Sequence, residues 1–350
     1  MTDPLRLGIV GCGRVVERFH LPAIRSSHRW QIGALCDSDP DRRKWAERAA
    51  PGAAVFGALT QMLDHDDLDA VLIASPPSLH VELATEAVDR GLHVLIEKPG
   101  GRSPADAEQL ARIAARSNRV VWVGFNRRFK PTHQSARDFV AASFPVSGAV
   151  ATYDLAFSVT EWDSITGYLG IPDRGGGAVH DLASHQIDLL SWMFSSPVTA
   201  VRCRLWQRPT PDLERIEYDV RLAMGLTIRC TAAHGEGYRE ALYIEGESES
   251  VLSYPTGLLR SRGGNRRALQ RWAKVRYWID RKLIRVRMLA DPLQRSFRGQ
   301  LEAFAVAIRG GRPIVSGRVE NTLVMTHRAM QALIDGRDLT DEWQAVALAS

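Results

Sequence analysis

A short apolar run near the start of the chain passes directly into a glycine turn and then into a helical pattern. The run is Leu7–Val10, the turn begins at Gly11, and the helical pattern continues to about Ile24. In such a unit the first glycine permits the tight turn, the second lets the backbone approach a ligand, and the helix N-terminus favours an anion. The sequence therefore predicts a turn that binds a dinucleotide pyrophosphate. The residues expected to contact it are Gly11, Cys12, Gly13, Arg14 and Val15.

The second strand of this region, Gln31–Cys36, is followed by an acidic residue, Asp37. A carboxylate at this place can accept hydrogen bonds from the adenosine ribose hydroxyls, which favours NAD over NADP. Arg42 and Arg43 leave NADP open, because they could meet a 2′-phosphate or lie over the adenine, and a solvated helix start is the other interpretation. The predicted cofactor is therefore NAD, with NADP as the alternative. The predicted contacts are Asp37, Ser38 and Arg42.

Strands and helices continue to alternate through the first third of the chain. The expected strands are 70–74, 92–96 and 120–124, and the expected helices are 79–89 and 104–116. Such alternation predicts a parallel sheet, and ligands bind beyond the carboxyl ends of its strands. Two polar segments follow strand ends and are expected to contact the cofactor. Their residues are Ser75, Pro76, Pro77 and His80 in the first, and Glu97 and Lys98 in the second.

The pattern changes after residue 124. Helices are expected over 132–142 and from Asp181 to about Phe194, and strands over 149–157, 198–206, 216–223, 226–233 and 241–245. Consecutive strands with short turns predict an antiparallel sheet with one free face. The predicted fold class is α/β. It comprises an N-terminal Rossmann domain over 1–124 and a C-terminal α/β domain over 125–350 with a mostly antiparallel open sheet.

Three glycines, Gly175–Gly177, precede Asp181 and His185, which are four residues apart. Residues at this spacing share one face of a helix, so the Asp181 carboxylate can orient the His185 imidazole. With the amine of Lys98, these groups suit a site that moves a proton while a hydride is transferred. His185 is the candidate base, since an imidazole titrates near neutral pH. The other interpretation of Asp181 and His185 is an ordinary helix N-terminus.

Five segments together resemble the family of glucose-fructose oxidoreductase, inositol dehydrogenase and MocA (Gfo/Idh/MocA), from Gly8 to about Arg337. Each is a weak signal alone, but the five occur in order and at family-like spacing. They are Gly11–Gly13, Ser75–His80, Glu97–Pro99, Gly124–Phe129, and Gly175–Gly177 through Asp181 to His185. Two residues depart from the family pattern. Val16 replaces a small residue of the glycine turn, and Ala183 stands where the family often has glycine.

The resemblance implies a nicotinamide cofactor near Lys98, a site completed by Asp181 and His185, and a cis Lys98–Pro99 bond. It also implies that the proton carrier can be either His185 or Lys98. It implies homodimers or homotetramers that pair through the C-terminal sheet. The implied activity is NAD(P)-dependent hydride transfer between nicotinamide and a secondary alcohol. Its substrate would be a sugar, a sugar derivative such as a phosphate or nucleotide-linked sugar, or a cyclitol. Two alternatives stay open: an NAD-dependent glycosidase that uses transient oxidation, and a non-catalytic regulator that senses a dinucleotide.

Further residues are weighed as substrate or metal ligands. Arg127 could anchor hydroxyl, carboxylate or phosphate groups, and a surface salt bridge is the equally weighted alternative. Trp162 and Tyr168 precede the glycine loop and could line a sugar pocket, although core packing is the favoured role. His180 faces elsewhere on the Asp181 helix and no further ligand set accompanies it, so no metal site is expected.

The net charge of +5 is concentrated in one segment, which is expected to form a basic helical insertion near 258–298. Residues 260–287 contain eleven Lys or Arg and one acidic residue. Packing of its apolar stripe on its own domain or on a partner subunit is favoured over membrane contact. No nucleic-acid partner is expected, because no binding module accompanies the charge, and an anionic substrate is a further alternative. The stripe consists of Leu269, Trp272, Val275, Ile279, Leu283 and Val286.

Length and composition agree with an ordinary two-domain protein. The chain has 350 residues, of which 45% are hydrophobic and 24% charged, so it can bury two cores. Cys12, Cys36, Cys203 and Cys230 form neither a C-x-x-C pair nor a metal-ligand spacing, so buried reduced thiols are expected. The first apolar strand begins almost at the N-terminus and no apolar run could span a membrane, which predicts a cytoplasmic protein.

Overall fold

The computed structural model describes residues 3–64, 67–143, 150–157, 177–210, 213–235, 239–246, 249–262, 265–285, 291–311, 321–339 and 342–347. The chain forms two compact units. The first contains Met1–Phe129 with Leu293–Glu320, and the second contains Lys130–Pro292 with Asn321–Ser350. The chain therefore returns to the first unit after most of the second. The domain division at residue 124 remains a proposal, to which this grouping adds the returning segment.

The first unit is built on a six-stranded parallel sheet. Its strands are β1 (Leu5–Val10), β2 (Trp30–Cys36), β3 (Ala54–Phe56), β4 (Ala70–Ile73), β5 (His93–Ile96) and β6 (Val121–Val123). They lie in the order β3-β2-β1-β4-β5-β6 and pair in parallel. All residues of β4 are 0% exposed, because helices cover both faces of such a sheet. The order reverses between β1 and β4, where the carboxyl ends of parallel strands form a ligand crevice.

Short helices connect these strands, and two of them begin with a side-chain cap. They are α1 (Leu21–Arg25), α2 (Pro40–Ala49), α3 (Leu59–Leu63), α4 (His80–Asp89) and α5 (Pro104–Arg116). The Asp39 side chain accepts a hydrogen bond from the N–H of Asp41, and Ser103 does the same for Asp106. In both helices a proline follows the capping residue, where its missing N–H costs nothing. A π-helical turn, Val16–His20, precedes α1.

The second unit contains an eight-stranded mixed sheet. Its strands are β7 (Val150–Phe157), β8 (Val198–Thr210), β9 (Leu213–Leu222), β10 (Thr227–His234), β11 (Arg239–Glu245), β12 (Glu249–Tyr254), β13 (Gly257–Arg262) and β14 (Gln344–Ala345). They lie in the order β13-β12-β11-β7-β10-β9-β8-β14. Strands β7 and β10 pair in parallel, and the other neighbouring described strands pair antiparallel. The predicted α/β class, with a Rossmann sheet and a separate mostly antiparallel sheet, is confirmed.

The remaining helices are α6 (Pro131–Ser143), α7 (Ser184–Phe194), α8 (Arg266–Arg285), α9 (Pro292–Ile308) and α10 (Asn321–Asp335). Helix α9 packs on the first unit, where Phe297 stacks on Phe19 with ring centroids 4.9 Å apart. Helix α7 lies against the second sheet through the buried amide of Gln186. That amide donates to the carbonyl oxygens of Tyr153 and Thr231, at 2.8 and 3.0 Å. None of the described helices is both long enough and apolar enough to cross a membrane.

Helices α6 and α8 pack on opposite faces of the second sheet. Arg260 of β13 lies over the ring of Phe139 in α6. In the sheet, Arg260 pairs with Val251 of β12, so both side chains lie on the α6 face. The next residue along β12, Leu252, points to the other face, since successive side chains in a strand alternate. Leu252 packs with Leu269 of α8. Helix α8 therefore covers part of the face that the sequence predicts to be free.

The predicted stripe on α8 is wrong in its orientation. Of its described members only Leu269 is buried, and Trp272, Val275 and Ile279 are 67, 52 and 39% exposed. The buried face is instead formed by Leu269, Ala273 and Asp280. The helix carries apolar residues on two adjacent faces, and the sequence pattern alone does not tell which face meets the sheet. The predicted helical segment also begins later than expected, because Gly257–Arg262 forms β13.

Candidate active site

The glycine turn of the first unit has the shape that a pyrophosphate requires. Gly11 has a φ of +86°, and a Cβ there would lie 2.7 Å from the carbonyl oxygen of Ala74. Only glycine fits both conditions. A Cβ at Gly13 would meet no heavy atom within 4 Å. The space beside Gly13 is therefore open to a ligand, and the residues present fit the predicted dinucleotide.

Asp37 is attached to the glycine turn by its carboxylate. The backbone N–H of Cys12 donates to Asp37 Oδ2 at 2.7 Å, and the N–H of Asp39 donates to Oδ1 at 2.9 Å. Each carboxylate oxygen can accept a second hydrogen bond, so contact with ribose hydroxyls stays a prediction. The Cys12 thiol is buried, and burial raises its pKa to about 12, with the charge of Asp37 adding to the effect. Cys12 is thus a neutral packing residue. All four cysteines are buried, as predicted.

The two arginines after Asp37 bind backbone carbonyl groups. Arg42 donates to the carbonyl oxygen of Cys12 from Nε at 2.6 Å. Arg43 Nη1 donates to the carbonyl oxygens of Asp37 and Ser38, at 2.9 and 2.7 Å. These contacts brace the turn and the end of β2, so a merely solvated helix start does not describe them. Contact of Arg42 with adenine or a 2′-phosphate stays a prediction.

The segment after β4 offers one hydroxyl to a ligand. His80 is 0% exposed and donates from Nε2 to the carbonyl oxygen of Ser75 at 2.8 Å. Burial lowers the pKa of His80 to about 4, so its imidazole is neutral at pH 7 and supports the turn from inside. The buried Ser75 Oγ has no hydrogen-bond partner among the described residues. Ser75 can therefore bind a ligand, whereas a direct cofactor contact by His80 stays a prediction.

Lys98 is placed by its neighbour Glu97 at the carboxyl end of β5. The Lys98–Pro99 bond is cis, as the motif predicts. The N–H of Lys98 donates to Glu97 Oε2 at 3.2 Å, and His20 Nε2 donates to Glu97 Oε1 at 2.6 Å. Burial would raise the pKa of Glu97, but its hydrogen bond to His20 and the nearby charges outweigh burial and hold that pKa below its ordinary value. His20 was not singled out from the sequence, because one histidine in a helix gives no signal of this contact.

Asp181 and His185 lie at the start of the α7 helix in the second unit. A π-helical turn, Val179–Ala183, carries Asp181, and such turns are frequent at functional sites. Asp181 Oδ2 accepts a hydrogen bond from Nε2 of His234 at 3.0 Å, and His185 is 7% exposed. His234 ends β10 and was missed, since its partner is 53 residues away. The role of Asp181 in orienting His185 stays a prediction.

Glu214 fixes the turn that leads into this helix. It is 5% exposed, and it accepts hydrogen bonds from the N–H of Ala178 and from Trp206 Nε1, the latter at 3.0 Å. Gly177, with a φ of +84°, would bring a Cβ to 3.1 Å from Glu214 Oε2. The last of the three predicted glycines therefore has a steric reason. The other two lie outside the described residues.

The remaining candidate residues differ in burial, and two of them lie outside the described residues. Arg127 is 3% exposed, which excludes the surface salt bridge and leaves the anchoring role as a prediction. Trp162 and Tyr168 lie outside the described residues. Within the described ranges no group of three His, Cys, Asp or Glu could hold a metal ion. Around the glycine turn, Arg14, Ser38 and Pro76 are exposed, Val15 is half-buried and Pro77 is buried.

Two family models match the chain. Residues 5–125 match the model described as "Oxidoreductase family, NAD-binding Rossmann fold", and residues 148–251 match that of the GFO/IDH/MocA C-terminal domain. Together these ranges cover more than half of the chain. The basic helix α8 lies outside both. The N-terminal match confirms the predicted NAD-binding fold.

Known proteins resemble the chain at low identity. The rhizopine catabolism protein MocA of Rhizobium meliloti is 30% identical over 197 residues, which cover 56% of this chain and 59% of that protein. Inositol 2-dehydrogenase of Leifsonia xyli subsp. xyli is 26% identical over 319 residues, which cover 89% and 86%. The match thus spans less than two thirds of the first relative's length and most of the second's.

Solved structures share the fold. The WlbA dehydrogenase from Bordetella pertussis, crystallised in complex with NADH and UDP-GlcNAcA, has a TM-score of 0.78 over 100% of both chains, at 21% identity. At this identity the likeness establishes the architecture and leaves chemistry to the residues. The predicted motifs and both matching models agree on one conclusion: the chain belongs to the Gfo/Idh/MocA family of NAD-binding oxidoreductases.

Proposed function

We propose that the chain is an NAD(P)-dependent oxidoreductase acting on a secondary alcohol or the matching ketone of a sugar, a sugar derivative or a cyclitol. The observation that carries the proposal is Lys98, an amine at the carboxyl end of β5 in a unit whose glycine turn leaves open space beside Gly13. The backbone that carries this amine is held by Glu97, which is itself bound by His20. The dehydrogenase chemistry also agrees with the family.

The first unit would hold NAD with residues whose geometry suits it. Gly11 and Gly13 would face the pyrophosphate, Asp37 the adenosine ribose, and the hydroxyl of Ser75 a further polar group of the cofactor. When bound, the nicotinamide supplies the hydride acceptor or donor. The protein must then supply groups for the oxygen and its proton.

Three side chains, those of Lys98, His185 and Asp181, are proposed for that task. The Lys98 ammonium would donate a hydrogen bond to the substrate oxygen and stabilise the negative charge that develops there. His185 would accept the hydroxyl proton in oxidation and return it in reduction. The Asp181 carboxylate, which already binds His234, would stabilise the imidazolium form of His185.

Related proteins support a carbohydrate-like substrate. One relative is named inositol 2-dehydrogenase, and one neighbour of the same fold was crystallised with UDP-GlcNAcA. We therefore propose cyclitols and nucleotide-linked sugars as the first compounds to test. Pairing of the second sheets into a homodimer or homotetramer, and a cytoplasmic location, are parts of the same proposal. The four buried cysteines agree with a reducing compartment.

The test is NADH absorbance with a panel of inositols, sugar acids and nucleotide sugars. For an active substrate, we expect Lys98→Ala to lower kcat about 10²- to 10³-fold. Lys44→Ala is the control, since Lys44 is a surface lysine whose side chain is 67% exposed. Undiminished turnover of Lys98→Ala would contradict the assignment. Retained cofactor with aglycone release and no net NADH would favour the glycosidase, and NADH binding without turnover of any compound would favour the regulator.

A kinetic cycle tests whether Lys98 and His185 serve the same step. The variants are Lys98→Ala, His185→Ala and the double variant. Groups that act on one transition state give losses that are far from additive. We expect the double variant to be little worse than the poorer single variant. Losses in kcat that multiply would show that the two side chains act independently.

A further inference from the structure

Helix α8 is held in one orientation by its buried face. Leu269 and Ala273 pack in a cluster with Tyr243, Leu252 and Tyr254 of the second sheet. The carboxylate of Asp280, which is 3% exposed, accepts a hydrogen bond from Thr256 at 2.7 Å. These contacts determine which side of the helix is turned away from the sheet.

The outward side of α8 is unusually apolar. Trp272, Val275, Trp278 and Ile279 are 67, 52, 60 and 39% exposed, and they are four of the seven exposed large hydrophobic residues in the described part of the chain. At 3.6 residues per turn, Trp272, Val275 and Ile279 fall within an arc of about 60°. They form one continuous apolar strip. An isolated water-exposed helix gains nothing from such a strip.

Cations border this strip. Helix α8 contains eight Lys or Arg, and its acidic residue, Asp280, is buried. Arg271, Lys274 and Lys282 are exposed beside the apolar side chains. Lys282 Nζ lies 3.6 Å from the centroid of the Trp278 ring, so the charge and the aromatic ring share one surface. The partner must accept both apolar and cationic groups.

The positive charge of α8 distinguishes between possible binding partners. A second copy of α8 would bring its exposed cations, such as Arg271, Lys274 and Lys282, against those of the first copy, which opposes pairing of the two helices. A bilayer with anionic headgroups attracts the cations and accepts tryptophan rings at headgroup depth. The helix has 20 residues and is about 30 Å long, so it can lie along such a surface. It also lies outside the residues matched by the two family models.

We propose that α8 docks the protein onto an anionic lipid surface. Trp272, Val275 and Ile279 enter the boundary between headgroups and acyl chains, and the flanking Lys and Arg bind the headgroups. The helix remains packed on the second sheet through Leu269 and Ala273. This surface is independent of the proposed oxidoreductase activity.

Vesicle flotation with the full-length chain tests the proposal. Vesicles of phosphatidylcholine alone are compared with vesicles that also contain phosphatidylglycerol. We expect binding to the anionic vesicles only, loss of much of it in high salt, and a blue shift of tryptophan emission on binding. No flotation with anionic vesicles would overturn the proposal. Equal flotation with both compositions would also overturn it, because the cations would then have no role.

Paired variants locate the contact. Trp272→Ser with Ile279→Ser should lower the partition coefficient at least about tenfold, since two apolar side chains no longer enter the bilayer. Leu339→Ser is the matched control, because Leu339 is 47% exposed away from α8 and should bind as the wild type does. Both changes are at exposed positions, and circular dichroism checks that the fold is kept. If the double variant binds vesicles normally, or instead breaks a dimer formed without lipid, α8 is not a membrane-docking helix.

Discussion

His20 and Glu97 are joined by a hydrogen bond of 2.6 Å in the interior of the first unit. His20 is 0% exposed and Glu97 is 9% exposed. The second oxygen of the same carboxylate accepts the backbone N–H of Lys98. Glu97 is thus held on one side by a helix and on the other by the segment that carries the proposed catalytic amine. His20 binds Glu97 and so helps to place the Lys98 backbone, and it belongs to the π-helical turn that follows the glycine turn.

Removal of His20 should destabilise the fold most at neutral pH, where the Glu97 carboxylate is charged. In His20→Ala, Glu97 loses the contact that outweighs its burial, so its pKa should rise. A carboxyl with a lowered pKa stabilises the fold above its unfolded pKa, and that contribution is lost as the pH falls. We expect a loss of about 1–3 kcal/mol at pH 7 and an acid unfolding transition at higher pH. Urea unfolding across a pH series measures both effects.

His20→Gln is the control for this contact. Its amide can donate to the Glu97 carboxylate, so part of the lost stability should return. Equal stability of His20→Ala and the wild type at every pH would show that the hydrogen bond does not hold Glu97.

Gly11 should tolerate no side chain. In Gly11→Ala, the Cβ meets the backbone carbonyl of Ala74, and the positive φ adds strain. Together we expect a loss of about 2–4 kcal/mol. Gly52→Ala is the matched control, because Gly52 has a φ of +89° but open space around it. It should lose only about 1 kcal/mol. Thermal or urea unfolding compares the two, and equal losses would mean that the steric contact is not the cause.

Gly13→Ala should separate cofactor binding from folding. The added methyl group meets no protein atom, so stability should stay within about 1 kcal/mol of the wild type. The same methyl occupies the space predicted for the pyrophosphate, so NADH affinity should fall at least about tenfold. Fluorescence titration of NADH measures this change. Wild-type NADH affinity in Gly13→Ala would show that the cofactor does not bind at this turn.

The sequence predicts the first unit well because its signals are local. Each signal lies within a short segment: the strand before Gly11, the breaks after β4 and β5, and the alternation of strands and helices. The structure places the carboxyl ends of these strands at one edge of one sheet. The family and its NAD-binding fold follow from the same motifs. The contacts that support the site cannot be predicted from these motifs. His20 lies 77 residues from Glu97, and nothing in either segment indicates the other.

The second unit shows where such prediction ends. Asp181 and His185 are visible through their spacing, but the partner of Asp181 is His234, on a strand far along the chain. Glu214 supports the glycine turn from β9 and reads in the sequence as one acidic residue among many. In α8 the helix was expected, but two adjacent faces are apolar, and periodicity does not identify the face that meets a sheet. Tertiary packing decides that.

His80 should make stability depend on pH in a defined window. Burial holds its pKa at about 4 in the folded protein, below its ordinary value of 6.5. Between these two values the unfolded chain binds more protons, so stability rises with pH through the window and is lost as the pH falls. The change amounts to at most about 3 kcal/mol.

His80→Gln keeps a donor for the Ser75 carbonyl and should flatten the slope of the unfolding free energy against pH. Ser78→Ala, at an exposed position of the same turn, should keep the wild-type slope, and an unchanged slope in His80→Gln would assign it to other groups.

Glu214 should be required for the stability of the turn that begins the Asp181 helix. Its two carboxylate oxygens accept hydrogen bonds from the N–H of Ala178 and from the indole of Trp206. In Glu214→Gln one oxygen becomes an NH₂ group, which sets a donor against a donor in a buried place, and we expect a loss of about 1–3 kcal/mol. Glu217→Gln is the matched control, because Glu217 lies on the same strand with its side chain 32% exposed and pairs with Arg215. That variant should lose less than about 1 kcal/mol. Urea unfolding compares the two, and hydrogen exchange of the Ala178 amide should quicken in Glu214→Gln alone. Protection of that amide in both variants would show that the turn is held by other contacts.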